Sequence, residues 1–380
     1  MENIQDKNYK IISNERQLHE ITSVVELVDS IISFAYYKQA SDIHVDPSQN
    51  GIVVKFRIDG ILKYIDSISE YLHEELIARI KVLSGLRTDI HFVPQDGRFK
   101  FLKKDFNCDI RVSIIPTHYG ENTVLRILKN ENEVPTLGKL GFSNEDTERI
   151  VKSISGKQGM VLVTGPTGSG KTSTLYTLIS CLSADEKKSI ITLEDPVEYA
   201  IPGIRQIQIQ SRYGINFSNG LRSIVRQDPD IIMVGEIRDA ETAQIATNIS
   251  LTGHLLLSTL HTNSSISTIP RLIDMGIDPY LISSTLSLVI AQRLVRRICP
   301  KCLGTGCGDC SDTGFKGRLV IAETLLVDDE MRKYIMARSP MEEILKYEKV
   351  KGMKTMYEDG MEKVMKGLTT KEEISRILYD

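Results

Sequence analysis

Residues 160–172 read MVLVTGPTGSGKT and constrain the fold more than any other stretch of the chain. The apolar run 160–163 is typical of a buried parallel strand. Residues 165–172 fit the pattern G-x-x-x-x-G-K-[ST], and helix-forming sequence, TSTLYTLISCL, begins at its end. Glycines let the backbone approach a ligand closely, and a helix N-terminus carries a positive dipole. The order strand, glycine-rich loop, helix therefore predicts a loop whose backbone N–H groups surround a polyphosphate.

The pattern also assigns roles within the loop. Lys171 is expected to contact the β- and γ-phosphates of ATP as a point charge, and Thr172 is expected to bind Mg²⁺. The remaining predicted nucleotide-binding residues are Gly165, Pro166, Thr167, Gly168, Ser169 and Gly170.

The composition is that of an ordinary soluble protein and argues against several classes. Of 380 residues, 41% are apolar and 26% are charged. The net charge of −3 gives no electrostatic support for nucleic acid as the main partner. No apolar run reaches the roughly 18 residues that a membrane span needs. The N-terminal sequence MENIQDKNYK lacks the apolar centre of a signal peptide, so we expect a cytosolic protein.

Acidic residues follow two further apolar strands. Glu236 ends the segment PDIIMVGE, where a phosphate-loop enzyme places its Mg²⁺ and water chemistry, and it is a candidate to orient the attacking water. Glu194, Asp195 and Glu198 follow the strand in ITLEDPVEY. Ligands gather at the carboxyl ends of parallel strands, so these acids are expected to face the same phosphates. The alternative is that they only make a strand end soluble.

Two histidines bracket the apolar strand in TGHLLLSTLHT. His261 lies at the carboxyl end, where it can bind a phosphate or a neighbouring catalytic group. For His254 a structural role and a functional one are equally compatible with the sequence.

Four of the six cysteines form two closely spaced C-x-x-C pairs. In a cytosolic protein this spacing indicates a metal site rather than disulfides, and four thiolates match a closed, structural Zn²⁺ site. Redox activity and an iron–sulfur cluster are the alternatives. The isolated Cys108 and Cys181 are interpreted as small buried hydrophobes. The predicted zinc ligands are Cys299, Cys302, Cys307 and Cys310.

Changes in periodicity divide the chain into segments. A polar segment, 1–22, precedes an α+β domain, 23–130, with an antiparallel sheet and helices on one side. Residues 131–141 lose periodicity and predict a linker. Strands and helices alternate over 142–327, which implies a parallel sheet covered on both faces and includes the cysteine insert, 299–310. Short helical pieces follow over 328–380.

A basic cluster precedes the cysteines. A solvated helix end or a subunit contact is favoured over nucleic-acid binding, because no aromatic residues alternate with the basic ones. The cluster consists of Arg293, Arg296 and Arg297.

The segments ITLEDPVEY, LRSIVRQDPDIIMVGEIRDAET, TGHLLLSTLHTN and AQRLVRRICPKC resemble the secretion ATPases of type II secretion and type IV pilus assembly. The resemblance extends over residues 41–327. It implies an α/β fold: a RecA-like P-loop motor domain, preceded by a PAS-like α+β domain, with a small tetracysteine zinc insert and a helical C-terminal tail. The Asp box of the family corresponds to residues 191–199 and the His box to residues 252–263. Glu236, Glu194 and His261 then belong to the catalytic site.

The resemblance also gives the first domain a role. ASDIHVDP, FRIDG, RVSIIPT and ENTVLRIL are similar to the family's PAS-like domain, whose arginines reach the γ-phosphate across the cleft between domains. The matching positions are Arg111 and Arg126, with Arg57 as a further candidate. An inserted guanidinium stabilises transferring phosphoryl charge by a factor of about 10³–10⁵.

As a member of this family the protein is expected to form a homo-hexamer that hydrolyses ATP at the inner face of the cell membrane. It would be peripheral to the membrane, act through a polytopic platform protein of the inner membrane, and bind no nucleic acid directly. The sequence resembles a short form that lacks the family's first N-terminal domain. The absence of an AIRNLIRE-type signature, together with the four cysteines, favours pilus extension over retraction. A nucleic-acid motor and a scaffold with a degenerate nucleotide site are the rival hypotheses.

Overall fold

The computed structural model describes residues 23–129, 134–185 and 187–379, and the predicted polar segment 1–22 lies outside them. The chain divides into two compact units, Met1–Asn132 and Glu133–Asp380. Among the residues described, no helix is both long and apolar enough to cross a bilayer.

Within the described range 23–129, the N-terminal unit consists of an antiparallel sheet and two α-helices. The sheet has six strands in the order β3-β2-β1-β6-β5-β4, and every neighbouring pair is antiparallel. Its elements are α1 (Val24–Tyr37), β1 (Ala40–Ser48), β2 (Gly51–Ile58), β3 (Ile61–Ile68), α2 (His73–Leu83), β4 (Gln95–Leu102), β5 (Asn107–Thr117) and β6 (Gly120–Lys129).

Local sequence accounts for this sheet. Asp59 and Gly60 both have positive φ, 49° and 85°, as a two-residue hairpin turn between β2 and β3 requires. Residues 108, 110, 112 and 114 of β5 are buried, while their neighbours point to the other face. Apolar residues of α1 and α2 join this buried face in one core. The predicted α+β sheet with helices on one side is therefore present.

The C-terminal unit is built on a seven-stranded sheet. Its order is β13-β12-β7-β11-β10-β8-β9, and all pairs are parallel except β12 with β13. The strands are β7 (Gly159–Thr164), β8 (Ile190–Glu194), β9 (Arg205–Gln208), β10 (Ile231–Val234), β11 (Leu255–Leu260), β12 (Leu286–Ile298) and β13 (Phe315–Leu326). The helices before the tail are α3 (Leu137–Leu140), α4 (Asn144–Ile154), α5 (Lys171–Ser183), α6 (Phe217–Ile224), α7 (Ala240–Leu251), α8 (Thr268–Asp274) and α9 (Pro279–Thr285).

Both faces of this sheet are covered. In β7, Met160 and Leu162 belong to one apolar core, while Val161 and Val163 belong to another. Alternate residues of one strand thus enter two different cores, so the predicted parallel sheet with two covered faces is present.

Two expectations differ from the structure. The predicted linker, 131–141, contains helix α3, because Thr136 caps the helix and Leu137 and Phe142 are buried in the core. The basic cluster does not lie at a helix end. Arg293, Arg296 and Arg297 lie in strand β12, whose first half is apolar and pairs with β7.

Four helices form the tail, close to their predicted positions: α10 (Asp329–Met336), α11 (Met341–Val350), α12 (Met356–Met365) and α13 (Lys371–Tyr379). Helix α13 is tied to β12 by an ion pair between Glu373 and Arg296, and Arg376 binds the same carboxylate at 2.8 Å. Burial alone would raise the pKa of Glu373, but the two guanidinium groups outweigh it and lower the pKa to about 2.

Glu348, on α11, is a buried acid whose charge destabilises the fold. It is 3% exposed. Burial, followed by the charge of Asp328, raises its pKa to about 7, against the opposing effects of Arg149 and Lys351. Because the folded pKa lies above its ordinary value of 4.5, the stabilising protonated form is fully present below pH 4.5 and is lost as the pH rises through about 7.

We expect Glu348→Gln to stabilise the protein at pH 8 by about 2 kcal/mol and to have little effect at pH 4.5, since glutamine carries no charge to desolvate. Urea unfolding at the two pH values measures this difference. Glu343→Gln, at an exposed position of the same helix, is the matched control. Equal effects of Glu348→Gln at both pH values would contradict the assignment.

Candidate nucleotide site and tetracysteine cluster

The glycine-rich loop, residues 165–172, lies between β7 and α5, the order that the sequence predicts. Gly165 has φ 146°, and a Cβ there would lie 2.5 Å from the backbone oxygen of Gln292 and 2.6 Å from Oγ of Ser169. Gly168 and Gly170 also have positive φ, 78° and 85°. The loop conformation therefore requires glycine, above all at its first position.

Lys171 and Thr172 form the first turn of α5. The Lys171 ammonium folds back over the loop and donates hydrogen bonds to the backbone oxygens of Gly165 and Pro166 at 2.8 and 2.9 Å. Burial lowers its pKa, against the attraction of Glu236. Thr172 is exposed, so its hydroxyl group is accessible at the helix N-terminus.

The side chain of Gln292, on β12, holds the glycine-rich loop by hydrogen bonds. The sequence did not single out this residue. The side chain is 0% exposed. Its Nε2 donates to the backbone oxygen of Ser169 at 2.8 Å, and its Oε1 accepts from Oγ1 of Thr174 at 2.8 Å. One amide thus links the loop to the helix that follows it. The sequence signal for this role was a single glutamine within the largely apolar segment LVIAQRLV. It indicates a buried amide only if that segment is assigned to a strand.

The parallel register brings the strand ends to the same edge of the sheet. Thr164 of β7 pairs with Leu260 of β11, and Val234 of β10 pairs with Ser258. His261 follows β11 directly, and Glu236 follows β10 by two residues. Residues of the loop, the second acidic segment and the His box therefore converge there, as predicted for ligand sites in such sheets.

Glu236 and His261 are in contact. Nε2 of His261 lies 3.5 Å from Oε2 of Glu236, and Arg238 forms an ion pair with the other carboxylate oxygen. The hydrogen bond that Arg238 donates to Glu236 raises the pKa of Arg238, and Asp195 adds to this effect by its charge. The ends of β8, β10 and β11 thus contribute charged groups to one cluster.

Glu194 lies at the end of β8, as the sequence indicated, but its carboxylate is buried. It is 3% exposed, and it accepts hydrogen bonds from the hydroxyl groups of Tyr176 and Thr192 and from Nε2 of Gln206. Burial and the bond to Glu194 raise the pKa of Tyr176. The carboxylate belongs to a buried polar network that ties α5 to the end of β8, and a direct catalytic role stays a prediction.

His254 lies at the other edge of the sheet, before β11 begins. Its Nδ1 is 3.2 Å from the backbone oxygen of Ile249 and 3.3 Å from Oγ1 of Thr252. These contacts fit the structural interpretation of His254.

In the N-terminal unit, four arginines and one aspartate occupy one row across the open face of the sheet. Arg98 pairs with Arg111, Arg111 with Arg126, Arg126 with Asp42, and Asp42 with Arg57. Directly opposite residues of adjacent strands point to the same face, so the five side chains are neighbours. The sequence indicated three of these arginines and missed Arg98, because strand register is needed to align it with the others.

The carboxylate of Asp42 neutralises part of the positive charge of this row. Nε of Arg126 donates to it at 2.9 Å, and Nε of Arg57 lies 3.7 Å away. Burial alone would raise the pKa of Asp42, but these arginines, chiefly Arg126, lower it.

The four clustered cysteines bring their sulfur atoms together between β12 and β13. All four Sγ atoms lie within 4.8 Å of one another. Three of the separations are 3.9, 3.7 and 3.7 Å. A tetrahedral zinc site with Zn–S bonds of about 2.3 Å has sulfurs about 3.8 Å apart. Backbone N–H groups of Cys307 and Gly314 also point at Sγ of Cys310, at 3.2 and 3.3 Å.

A family model described as "Type II/IV secretion system protein" matches residues 17–376. The chain belongs to this family of secretion ATPases. It is 41% identical to the type IV pilus assembly ATPase PilB of Thermus thermophilus and 43% identical to the type II secretion system protein E of Xanthomonas campestris. Each match covers 96% of this chain, but only 45% of the Thermus protein and 69% of the Xanthomonas protein.

Solved structures of an ATPase and of a pilus retraction motor share the fold. DotB of Legionella pneumophila has a TM-score of 0.73 at 24% identity, covering 92% of this chain and 95% of DotB. The pilus retraction motor PilT, solved with bound ADP, has a TM-score of 0.66 at 26% identity, covering 92% of this chain and 96% of PilT.

In this secretion ATPase, we expect Gln292→Leu to destabilise the C-terminal unit by about 2 kcal/mol or more, because it leaves two buried groups of the phosphate loop and α5 without a partner. Thermal and urea unfolding measure the loss. Gln244→Leu, at a partly exposed helix position, is expected to change stability by less than about 0.5 kcal/mol. If the two variants were equally stable, Gln292 would not hold the loop.

Proposed function

We propose that this chain is an ATP-hydrolysing motor of type IV pilus assembly or type II secretion. The observation that carries the proposal is the convergence, at one edge of the sheet, of a glycine-rich loop with Lys171 and the Glu236–His261 pair. The loop would bind the triphosphate, and the acid and the histidine would act beside it. The C-terminal unit then corresponds to the RecA-like motor domain, and the N-terminal unit to the PAS-like domain.

The chemistry follows from the positions of the side chains. The backbone N–H groups of the loop, apart from Pro166, which has none, and the α5 N-terminus would face the negative charge of the phosphates. Lys171 would move from its carbonyl partners onto the phosphates. Mg²⁺ would be held by the exposed Thr172 hydroxyl in the region of Glu236, where it neutralises phosphate charge. Oxygen ligands of this kind are those that Mg²⁺ prefers.

Glu236 would orient the water that attacks the γ-phosphate. Arg238 and His261 hold its carboxylate from two sides, which limits its rotation. Glu194, engaged by three donors, would position α5 and the end of β8 rather than contact the water.

The arginine row of the N-terminal unit would supply cations to the γ-phosphate. Arg111 is flanked in the row by Arg98 and Arg126, and like charges directly opposite each other are unfavourable until an anion lies between them. We infer that Arg111 and Arg126 engage the nucleotide, with Arg57 held in the same row by Asp42.

By its family, the motor would work as a homo-hexamer on the inner face of the cell membrane. It would bind a polytopic platform protein and drive extension of a pilus or pseudopilus, or secretion, without inserting into the bilayer. A nucleic-acid motor is the alternative, and the net charge of −3 does not favour it.

We also propose that the four cysteines bind one structural Zn²⁺. The near-tetrahedral sulfur spacing and the N–H groups directed at Cys310 support a closed thiolate site. Such a site stabilises a short glycine-rich segment that has little core of its own.

The zinc proposal predicts about one zinc per chain by metal analysis. Cys302→Ser and Cys307→Ser are each expected to lose most of the zinc and to unfold at lower temperature, because three thiolates bind more weakly than four. Cys181 is exposed, not buried as the sequence indicated, and lies outside the cluster, so Cys181→Ser is expected to keep its zinc. A purified chain that is folded and free of zinc, with all four cysteines reduced, would refute the assignment.

The motor proposal predicts three different defects. Lys171→Ala is expected to lose nucleotide affinity, while Glu236→Gln is expected to bind ATP and turn it over at least about 100-fold more slowly, since it lacks a carboxylate for the attacking water. Arg111→Ala is expected to lower turnover more than affinity. ATPase assays and equilibrium binding separate these effects, and Glu241→Gln, at an exposed position of α7, is the control.

Four outcomes would count against parts of this proposal. A wild-type sample that hydrolyses no ATP at any Mg²⁺ concentration would exclude it. A Glu236→Gln variant with unchanged turnover would remove that residue from the mechanism. ATPase stimulation by DNA or RNA, or a sample that stays monomeric with a non-hydrolysable ATP analogue by native mass spectrometry, would favour another class of protein.

A further inference from the structure

Arg293 follows Gln292 on β12, at the point where this strand passes the phosphate loop. The last residue of β12 that pairs with β7 is Ala291, opposite Thr164. Beyond this pair, β7 turns into the loop, so residues 292 and 293 adjoin the loop on that side, while on the other side they pair with Ala322 and Ile321 of β13. The backbone oxygen of Gln292 next to Gly165, and its side chain below Ser169, show how closely β12 approaches the loop.

The guanidinium group of Arg293 is incompletely bonded. Nη2 is 3.5 Å from Oδ1 of Asn263, at the end of the His box, which is a long hydrogen bond. Nε is buried and has no hydrogen-bond partner among the residues that the structure describes. A guanidinium group has five N–H donors and does not lose its charge in proteins, so several donors remain to be satisfied.

The carboxylate of Glu323 does not satisfy all of these N–H donors alone. Glu323 attracts Arg293 by its charge, but one oxygen of Glu323 already accepts from the backbone N–H and the hydroxyl group of Ser265, at 2.6 and 3.0 Å. Burial raises the pKa of Glu323, against the hydrogen bonds from Ser265 and the charge of Arg293.

Arg293 is also close enough to Lys171 for their charges to interact. The charge of Arg293 adds to burial in lowering the pKa of Lys171, and Glu236 opposes both. Two cations on the same side of a glycine-rich loop are unfavourable together, unless an anion binds between them. A polyphosphate on the loop supplies this anion, and guanidinium groups bind phosphate oxygens in pairs.

We propose that Arg293 binds the polyphosphate of the nucleotide held by the loop of the same chain, as a cation in addition to Lys171. This inference rests on the proposed nucleotide site and goes beyond it, because it assigns to the motor's own sheet a phosphate-binding arginine that is distinct from the row in the N-terminal unit. Asn263 then orients the guanidinium group, and the other N–H donors face the phosphates. The charge of Glu323 is not required for this binding.

The first test compares nucleotide affinities of variants. Arg293→Gln is expected to weaken binding of fluorescent ATP and ADP analogues by about 10-fold or more, as loss of a charge-assisted hydrogen bond predicts. Arg293→Lys is expected to recover part of the affinity, because it keeps the charge without the planar group. Arg297→Gln, at an exposed position of the same strand, is expected to bind like the wild type.

Glu323→Gln distinguishes phosphate binding from a purely structural role. If Arg293 served only as a partner of Glu323, this substitution would reproduce the loss of affinity, and that result would overturn the inference. Unfolding temperatures without nucleotide show whether each variant is folded. Wild-type affinity in Arg293→Gln, with Lys171→Ala still defective, would overturn the inference and leave the proposed function intact.

The second test uses the wild-type protein and so does not depend on a variant that folds. Phenylglyoxal modifies arginines, and peptide mass spectrometry measures the rate at each position. ATP and ADP are expected to slow modification of Arg293 several-fold while leaving Arg297 unchanged. Equal rates at Arg293 with and without a nucleotide that binds would overturn the inference, whereas absence of any nucleotide binding would overturn the proposed function itself.

Discussion

The hydrogen-bonded register of β7 with its two parallel neighbours is the constraint on which the nucleotide site depends. Thr164, the last residue of β7, is paired with Leu260 on one side and with Ala291 on the other. Its hydroxyl group also binds the backbone of Thr262 at 2.9 and 3.1 Å. The loop that leaves β7 is therefore confined between the His box and Gln292. A slip of one residue in either ladder would turn every side chain to the opposite face and separate these groups.

Two glutamates from similar sequence contexts have different surroundings in this site. Both follow apolar strands of the parallel sheet, but Glu194 is enclosed by hydroxyl and amide donors, whereas Glu236 is met by an arginine and a histidine. A carboxylate bonded by several neutral donors is fixed in place. A carboxylate between partly exposed basic groups can exchange partners when a ligand arrives. Burial and the available donors, rather than residue type, separate the acid proposed to position α5 from the acid proposed to orient the attacking water.

Much of the fold follows from the sequence, because its signals are local. The hairpin at Asp59-Gly60, the cap at Ser143, the continuous apolar strands and the tail helices depend on a few adjacent residues each. Two features were missed for the opposite reason: helix α3 within the predicted linker, and the position of the basic cluster in a strand instead of at a helix end. Leu137 is buried by residues far along the chain, and Arg293 lies in a strand whose pairing partner, β7, is more than a hundred residues away.

The sequence predicted those residues of the candidate site that belong to contiguous motifs. The phosphate loop and the cysteine pairs are contiguous patterns, so their residues could be named directly. Gln292 and Arg98 could not be found in this way, since the first acts through buried hydrogen bonds and the second through strand register. The burial of Glu194 depends on Tyr176, which the sequence shows only as one more aromatic residue of a helix.

Strand β12 connects three parts of the C-terminal unit. Gln292 touches the phosphate loop, Arg296 binds the tail helix through Glu373, and Cys299 follows the last residue of the strand. Thirteen residues of extended chain span about 43 Å. A strand that is hydrogen-bonded along its length to a neighbouring strand resists bending, so β12 is a stiff connection between these three parts. If a ligand tilted β12 where it passes the loop, the tilt would be carried to the sulfur cluster and the tail without either of them touching that ligand.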